Sequence, residues 1–160
     1  MGAGLGAGSR GPSPGFFTKA NTGVKMRTSR DDWIVDSGAS MHVCGNIRAF
    51  NYYTPMEKGK NGAVLVGDST PLPVVGKGQV ILKLTSSNIL ILNDVFYVPN
   101  IGRNLISVYL LGKAGIRVLF DFDKTFLIKN NIFMGKGYCY EGVYILECRE
   151  VFTRNIPRLI

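Results

Sequence analysis

Short apolar runs alternate with turn-forming residues along most of the chain. The runs are rich in Val, Ile, Leu and Phe, which is typical of β-strands. Residues that turns select, such as Asn61-Gly62, Ser86-Ser87-Asn88 and Asn130-Asn131, lie between them. The predicted strands are residues 33–35, 63–66, 72–75, 79–84, 89–92, 95–98, 116–120, 125–129 and 143–146. The pattern leaves little room for crossover helices, and it predicts an all-β fold, either a small barrel or a sandwich.

The segment RNLISVYLLGKAG departs from this pattern. Leu105, Val108 and Leu111 share one face at helical spacing, Asn104 suits the N-cap position, and Gly112 follows the last apolar position. The segment therefore predicts a single short helix packed on the barrel. Its β-branched side chains leave a strand as the alternative.

The ends of the chain differ in composition from the middle. Residues 1–31 are rich in Gly, Ser and Pro and predict a flexible leader. A single β-rich domain is predicted over residues 32–148, followed by a tail over residues 149–160. No apolar run approaches the roughly 18 residues of a membrane span, so we expect a soluble protein with no membrane partner.

The three cysteines have no CxxC spacing. An odd number without that spacing argues against a disulfide framework and against a structural zinc site. Free cysteines are typical of a reducing compartment, and the expected location is therefore cytoplasmic.

The net charge of +8 is concentrated at the ends, because more than half of the excess lies in residues 1–32 and 148–160. Such flanks favour weak, nonspecific contact with nucleic acid. Along the sequence, however, no block of five or six like charges occurs, and basic residues are not interleaved with aromatic ones. A solvated basic surface is the preferred interpretation, and a basic nucleic-acid-binding domain is an alternative.

The stretch WIVDSGAS is the main candidate for chemistry. Asp36 follows a short apolar run, and Ser37 and Gly38 then turn the chain. Asp, Ser and Gly are common in strand-ending turns, so a plain turn is one interpretation. A catalytic carboxylate at the end of a buried strand is the other.

The sequence has few residues that could support nucleophilic catalysis, a metal site or phosphate binding. His42 is the only histidine, so a Ser/His/Asp or Cys/His mechanism would have to use it. Asp36, His42 and Cys44 fit no metal-ligand spacing and have no evident fourth ligand. No phosphate-binding GxxxxGK[ST] loop is present. No metal and no cofactor are therefore expected.

Carboxylate chemistry remains, but amide hydrolysis needs one group that removes a proton from water and another that donates a proton. The sequence has one Asp-Ser-Gly triplet. A twofold dimer would bring Asp36 together with its copy. Two carboxylates about 3 Å apart cannot both ionise easily, so the pair would hold one shared proton and supply both the base and the acid.

Four ordered segments between residues 33 and 146 resemble the protease region of plant Ty1/copia-type retrotransposon polyproteins. They are WIVDSGASMHVCGN, VLVGDSTPLPVVGKGQVIL, LNDVFYVPNIGRNLISVYLLGKAGIRVLF and GKGYCYEGVYIL. The resemblance implies a retropepsin-like fold, in which a closed β-barrel with one short helix forms half of a symmetric dimer. It also implies that the active-site loop is Asp36, Ser37, Gly38 and Ala39, with Asp36 catalytic.

The same resemblance implies a substrate-binding flap, a hairpin over residues 64–75 that closes over bound peptide. Its tip is expected at Gly67, Asp68, Ser69 and Thr70. Retropepsins commonly carry two apolar residues and a Gly behind the active site. Here Leu105, Ile106 and Ser107 occupy that place.

The sequence thus predicts an aspartic endopeptidase of a Gag-Pol polyprotein, acting as a homodimer on extended polyprotein peptides. If the element is active, the protein is expected in virus-like particles. The alternative function is a catalytically inactive β-barrel remnant that serves as a dimerisation or capsid-associated module.

Overall fold

A computed structural model describes residues 29–57, 62–67 and 69–152. Most of the predicted leader, residues 1–28, lies outside the described residues, as do Asp68 of the predicted flap tip and residues 153–160 of the predicted tail. The described strands are Trp33–Asp36 (β1), Val43–Cys44 (β2), Phe50–Pro55 (β3), Ala63–Leu65 (β4), Pro71–Pro73 (β5), Gly76–Leu84 (β6), Ile89–Tyr97 (β7), Asn104–Ser107 (β8), Ile116–Asp121 (β9), Lys124–Lys129 (β10), Ile132–Tyr140 (β11), Val143–Leu146 (β12) and Cys148–Phe152 (β13). An α-helix, Val108–Lys113 (α1), and a 3-10 turn, Ile47–Ala49, complete the described elements.

Among the described residues, the prediction of an all-β fold with one short α-helix is confirmed. Eleven strands form one sheet in the order β13-β6-β7-β2-β8-β1-β12-β11-β10-β9, with β3 also paired to β6, and β4 and β5 form a separate hairpin. The predicted closure is not seen, because the described sheet ends at β9 on one side and at β13 on the other. Each edge strand has one described partner: β9 pairs with β10, and β13 pairs with β6.

The centre of the sheet is built from segments that are far apart along the chain. β1 pairs in parallel with β8, placing Trp33 opposite Asn104 and Asp36 opposite Ser107. β2 lies between β8 and β7, antiparallel to the former and parallel to the latter. Strands β9 to β12 instead follow one another as antiparallel hairpins.

The predicted start of the helix is wrong. Residues 104–107 form strand β8, and α1 begins at Val108 with Ser107 as its N-cap. Pairing with β1 and complete burial of Ile106 favour the extended backbone over the helix that local spacing indicates. Gly112 consequently lies within the helix, and its C-cap is Ala114.

Two predicted strands, residues 89–92 and 95–98, merge into the single strand β7. Asp94 has a positive φ of 53°, and the register with β6 shifts beside it, between Gly78 and Val80. An extra residue of this kind is a β-bulge, which bends a strand without ending it. The polar Asn93-Asp94 pair therefore marks a bulge and not a turn.

Strand β11 was not predicted, because glycines weaken a strand pattern. Its glycines allow close packing instead. A Cβ at Gly137 would lie 2.3 Å from the carbonyl oxygen of Ile145, and one at Gly135 would lie 2.6 Å from a methyl carbon of Leu84. Strands β2, β3 and β13 were also not predicted.

The main core lies against one face of the large sheet. It contains Trp33 and Val35 from β1, together with apolar side chains of β6, β7, β8 and β10. A smaller buried cluster is formed by Val43, Val74 and Val98. Within the described ranges, no helix has the length and apolar character that a membrane span requires.

Candidate active-site loop

Strand β1 carries Asp36 from the core to the surface. Trp33 and Val35 are 2% and 4% exposed and anchor the strand, whereas Asp36 is half-buried. Ser37 and Gly38 are exposed, and the loop then leads through Ala39 to β2. The structure thus brings the four predicted loop residues together at the end of a buried strand.

A hydrogen bond within the loop fixes the carboxylate. The backbone N–H of Gly38 donates to Oδ1 of Asp36 at 2.7 Å. A Cβ at Gly38 would lie 3.2 Å from the same oxygen, tighter than ordinary contact. A small residue therefore lets the backbone approach the acid, and the charge-assisted bond holds one carboxylate oxygen in place.

Ser107 links this loop to the neighbouring strand and helix. Its hydroxyl donates to the carbonyl oxygen of Ala39 at 2.7 Å and accepts from the N–H of Leu110 at 3.2 Å. Ser107 is fully buried and caps α1. The hydroxyl therefore satisfies a helix N–H and a loop carbonyl that burial would otherwise leave unpaired.

His42 supports the same region from the other side. It is 4% exposed, and its Nδ1 accepts from the backbone N–H of Ser107 at 3.0 Å. Its carbonyl oxygen accepts from the N–H of Phe96 at 2.9 Å. Burial lowers the pKa of His42 to about 4, so the ring is neutral at pH 7. Its bonds make His42 a structural residue that holds β8 in place, not a base for a neighbouring nucleophile.

Neither Cys44, which is buried, nor Cys148, which is half-buried, provides a reactive thiol. Burial raises the pKa of Cys44 to about 12 and that of Cys148 to about 12, and the Sγ of Cys44 donates to the carbonyl oxygen of Asn46. A thiol with so high a pKa is a poor nucleophile and a poor metal ligand near pH 7. No group of three His, Cys, Asp or Glu side chains suited to a metal ion occurs in the part of the chain that the structure describes.

The predicted flap segment forms a hairpin. β4 and β5 pair antiparallel, and the N–H of Ser69 donates to the carbonyl oxygen of Val66 at 2.7 Å in the turn, where Ser69 has a φ of 64°. Gly67, Ser69 and Thr70 are exposed at this turn.

The hairpin is attached to strands that also hold the Asp36 loop. Val64 and Leu72 pack against the cluster of Val43, Val74 and Val98, as does Leu105 of β8. The N–H of Val74 also donates to the carbonyl oxygen of Gly62 at 3.1 Å. The base of the hairpin is thus joined to β2 and β8, whereas its tip is exposed.

Sequence reasoning missed the roles of His42 and Ser107. The bond of His42 to Ser107 and that of Ser107 to Ala39 join residues distant along the chain, so local patterning contains no signal for these two bonds. The departure from the retropepsin pattern at Ser107 was the one available indication, because a small hydroxyl residue can replace Gly and add hydrogen bonds.

The comparisons with known proteins assign this fold and loop to a class of domain found in retroelement polyproteins. The chain belongs to the family described as the Pol polyprotein, beta-barrel domain, which matches residues 33–116, more than half of the sequence. The match begins at β1 and ends at the first residue of β9, so it includes the loop, the hairpin, β8 and α1. The comparison with solved structures finds no match.

Among curated proteins, the chain is similar to Pol polyproteins of plant Ty1/copia-type elements. It is 36% identical over 124 residues to the retrovirus-related Pol polyprotein from transposon RE1 of Arabidopsis thaliana, covering 74% of this chain and 8% of that protein. It is 33% identical over 122 residues to the one from transposon RE2 of the same plant, covering 76% and 8%. It is 30% identical over 129 residues to the one from transposon TNT 1-94 of Nicotiana tabacum, covering 81% and 10%. The chain therefore spans about a tenth or less of the length of these relatives.

Proposed function

We propose that the chain is one subunit of a homodimeric aspartic endopeptidase that cleaves extended segments of a Pol polyprotein. Asp36 is its catalytic carboxylate. The observation that carries this proposal is the carboxylate at the solvent-facing end of a buried strand, with one oxygen held by the N–H of Gly38. The loop is also tied to buried residues, because the Ser107 hydroxyl donates to the Ala39 carbonyl oxygen and His42 accepts from the Ser107 N–H.

Two subunits are needed because one carboxylate cannot act as both acid and base in the same step. Across a twofold axis, Asp36 and its copy would share one proton; the ionised member activates water, and the protonated member donates to the substrate carbonyl. Exposed Ser37 and Gly38 put no bulky side chain between the two loops. In this arrangement the Ser37 hydroxyls hydrogen-bond across the axis, and Ala39 keeps the floor of the site small.

The β4–β5 hairpin serves as the flap of this site. Its exposed turn offers backbone N–H and carbonyl groups to an extended peptide, which then binds as an added strand. Closure of the hairpin over the peptide excludes bulk water from the site and leaves the one water that the carboxylate pair activates. Gly67, Asp68, Ser69 and Thr70 are the residues of the flap tip in this proposal.

The experiment compares wild type with Asp36→Asn on a polyprotein segment that contains this chain and its flanking residues, at mildly acidic pH. Asn keeps the shape of the side chain and can still accept from Gly38, but it cannot accept or donate the shared proton. We expect the cleavage rate to fall by roughly 10²–10⁴-fold, the usual contribution of a general acid–base group.

Asp94→Asn is the matched control, because Asp94 is an exposed acid that pairs with Lys77 at 3.4 Å, away from the loop. It should cleave as wild type does. Sedimentation equilibrium should detect dimers of all three proteins. Equal cleavage by wild type and Asp36→Asn, or dimers with no cleavage at all, would contradict the proposal, and the second result would favour an inactive dimerisation module.

A further inference from the structure

The outer face of strands β9, β10 and β11 carries a regular arrangement of side chains that the linear sequence conceals. In antiparallel strands, directly paired residues lie on the same face. The face opposite the core has three cross-strand rows: Arg117–Ile128–Phe133, Leu119–Phe126–Lys136 and Asp121–Lys124–Tyr138. Each row contains one cation and one aromatic ring.

The other face of the same strands is occupied by the core, which fixes the direction of these rows. Thr125 and Leu127 are fully buried, and Val118 packs against the main core. Their sequence neighbours therefore point away from the core. Leu119 and Phe133 are each 47% exposed, and Arg117, Lys124 and Lys136 are exposed.

The excess of positive charge on this face favours an anionic partner. Three cations and one acid, Asp121, lie among the nine positions; the acid is in the third row, where burial and the charges of Asp32 and Glu147 raise the pKa of Tyr138. The Nη2 of Arg117 donates to Oδ1 of Asn131 at 3.3 Å, which holds the guanidinium beside the β10–β11 turn. Rows follow one another about 7 Å apart along the strands, so each ring has a cation in its own row and others in the next row.

We propose that the outer face of β9–β11 binds single-stranded nucleic acid. Unpaired bases stack on Phe133, Phe126 and Tyr138, and Arg117 and Lys136 contact the phosphates. A basic surface with aromatic rings at successive positions is the arrangement that binds single strands without sequence preference, because every base has a π-face and every nucleotide a charge. In a duplex the bases are stacked on one another and cannot stack on the protein's aromatic rings, so a duplex should bind less well. This proposal is independent of the protease proposal, because it uses no residue of the Asp36 loop.

The test measures the fluorescence anisotropy of a labelled oligothymidine of about 20 nucleotides, titrated with the full chain. Phe133→Ala removes a half-exposed ring, and a lost stacking interaction should weaken binding about tenfold. Phe120→Ala is the matched control, since Phe120 is 43% exposed on the opposite face of β9, where it contacts Tyr144. It should stay within about twofold of wild type, and thermal unfolding should show that both variants fold.

Two double variants, each lacking two cations, complete the experiment. R117Q/K136Q removes two cations of the face and should reduce the slope of log affinity against log salt by about 1.4. K77Q/K113Q removes two cations from other surfaces and should change the slope much less. Asp36→Asn should bind like wild type, so failure of protease activity and failure of nucleic-acid binding are separately visible.

Three results would overturn the proposal. The first is absence of binding by wild type. The second is equal affinity of the Phe133→Ala and Phe120→Ala variants, which would assign binding to the basic flanks. The third is a wild-type dimer that Phe133→Ala dissociates without a change in anisotropy, which would make this face a contact between two copies of the chain.

Discussion

The centre of the large sheet and its β9 end are built in opposite ways. Around the Asp36 loop, β1 lies beside β8, so Trp33 pairs with Asn104, and polar side chains such as His42 and Ser107 are buried between the strands. At the far end, β9 to β12 form hairpins between consecutive strands. In the loop region, buried polar groups hold a reactive side chain in place. In the hairpin region, backbone register and burial of the opposite face place the rows of cations and rings.

The first prediction tests whether the two regions also differ in folding. Ile106→Ala and Leu127→Ala each remove a fully buried side chain, one from β8 and one from β10. Each should lower the free energy of unfolding by about 2–5 kcal/mol. Hairpin contacts form earlier than contacts between distant segments, so Leu127→Ala should mainly slow folding and Ile106→Ala mainly speed unfolding. Stopped-flow measurements against denaturant concentration give the folding and unfolding rates of each variant. If both substitutions changed the two rates in the same proportion, the two regions would not differ in folding.

The second prediction concerns acid sensitivity of the loop region. Burial lowers the pKa of His42 to about 4 from 6.5, so the folded state favours the neutral ring. Between these values the unfolded chain binds more protons, and stability should fall as pH falls, by roughly 3 kcal/mol in total below pH 4. Denaturant unfolding of wild type and His42→Asn across this range measures the effect. A parallel decline in both proteins would assign it to other groups.

The third prediction tests packing in the hairpin region. A Cβ at Gly137 would lie 2.3 Å from the backbone oxygen of Ile145 and 2.8 Å from Thr125. Gly137→Ala should therefore cost about 1–3 kcal/mol as β11 and β12 separate. Gly62→Ala is the control, because nothing lies within 4 Å of its added Cβ. Equal unfolding midpoints of the two variants would contradict this packing.

The fourth prediction concerns the Ser107 hydroxyl. Ser107→Ala removes the bonds to Ala39 and Leu110 and should cost about 1–2 kcal/mol, the usual effect of losing an N-cap. Thr at this position keeps a hydroxyl and should recover part of the loss. If the Ala39 bond positions the loop, Ser107→Ala should also reduce cleavage. A variant as stable and active as wild type would show that the hydroxyl is dispensable.

The smallest expected effect is at Gly112 in α1. Nothing lies within 4 Å of a Cβ at this position, and its φ is not positive. Gly112→Ala should therefore stabilise the protein by up to about 1 kcal/mol, because Ala is the better helix former. Thermal unfolding measures the gain. A loss of stability would mean that Gly112 ends the helix, as the sequence alone suggested.

Sequence reasoning succeeded where local chemistry decides the structure. Asn130 and Asn131 both have positive φ, as a two-residue hairpin turn requires, and strand β12 has the predicted bounds. The Asp36 loop lies at the end of a buried strand, as its apolar run indicated. Reasoning failed at residues 104–107, where helical spacing was overridden by pairing with a strand far away in the sequence.

The sequence by itself determined the alternation of strands and turns, the single short helix and the loop that carries Asp36, because these depend on each residue's own backbone preference and its near neighbours. Tertiary structure decided that Ser107 and His42 support that loop and that three cations and three rings share one sheet face. These arrangements depend on strand register and burial, which arise only when distant segments pack together.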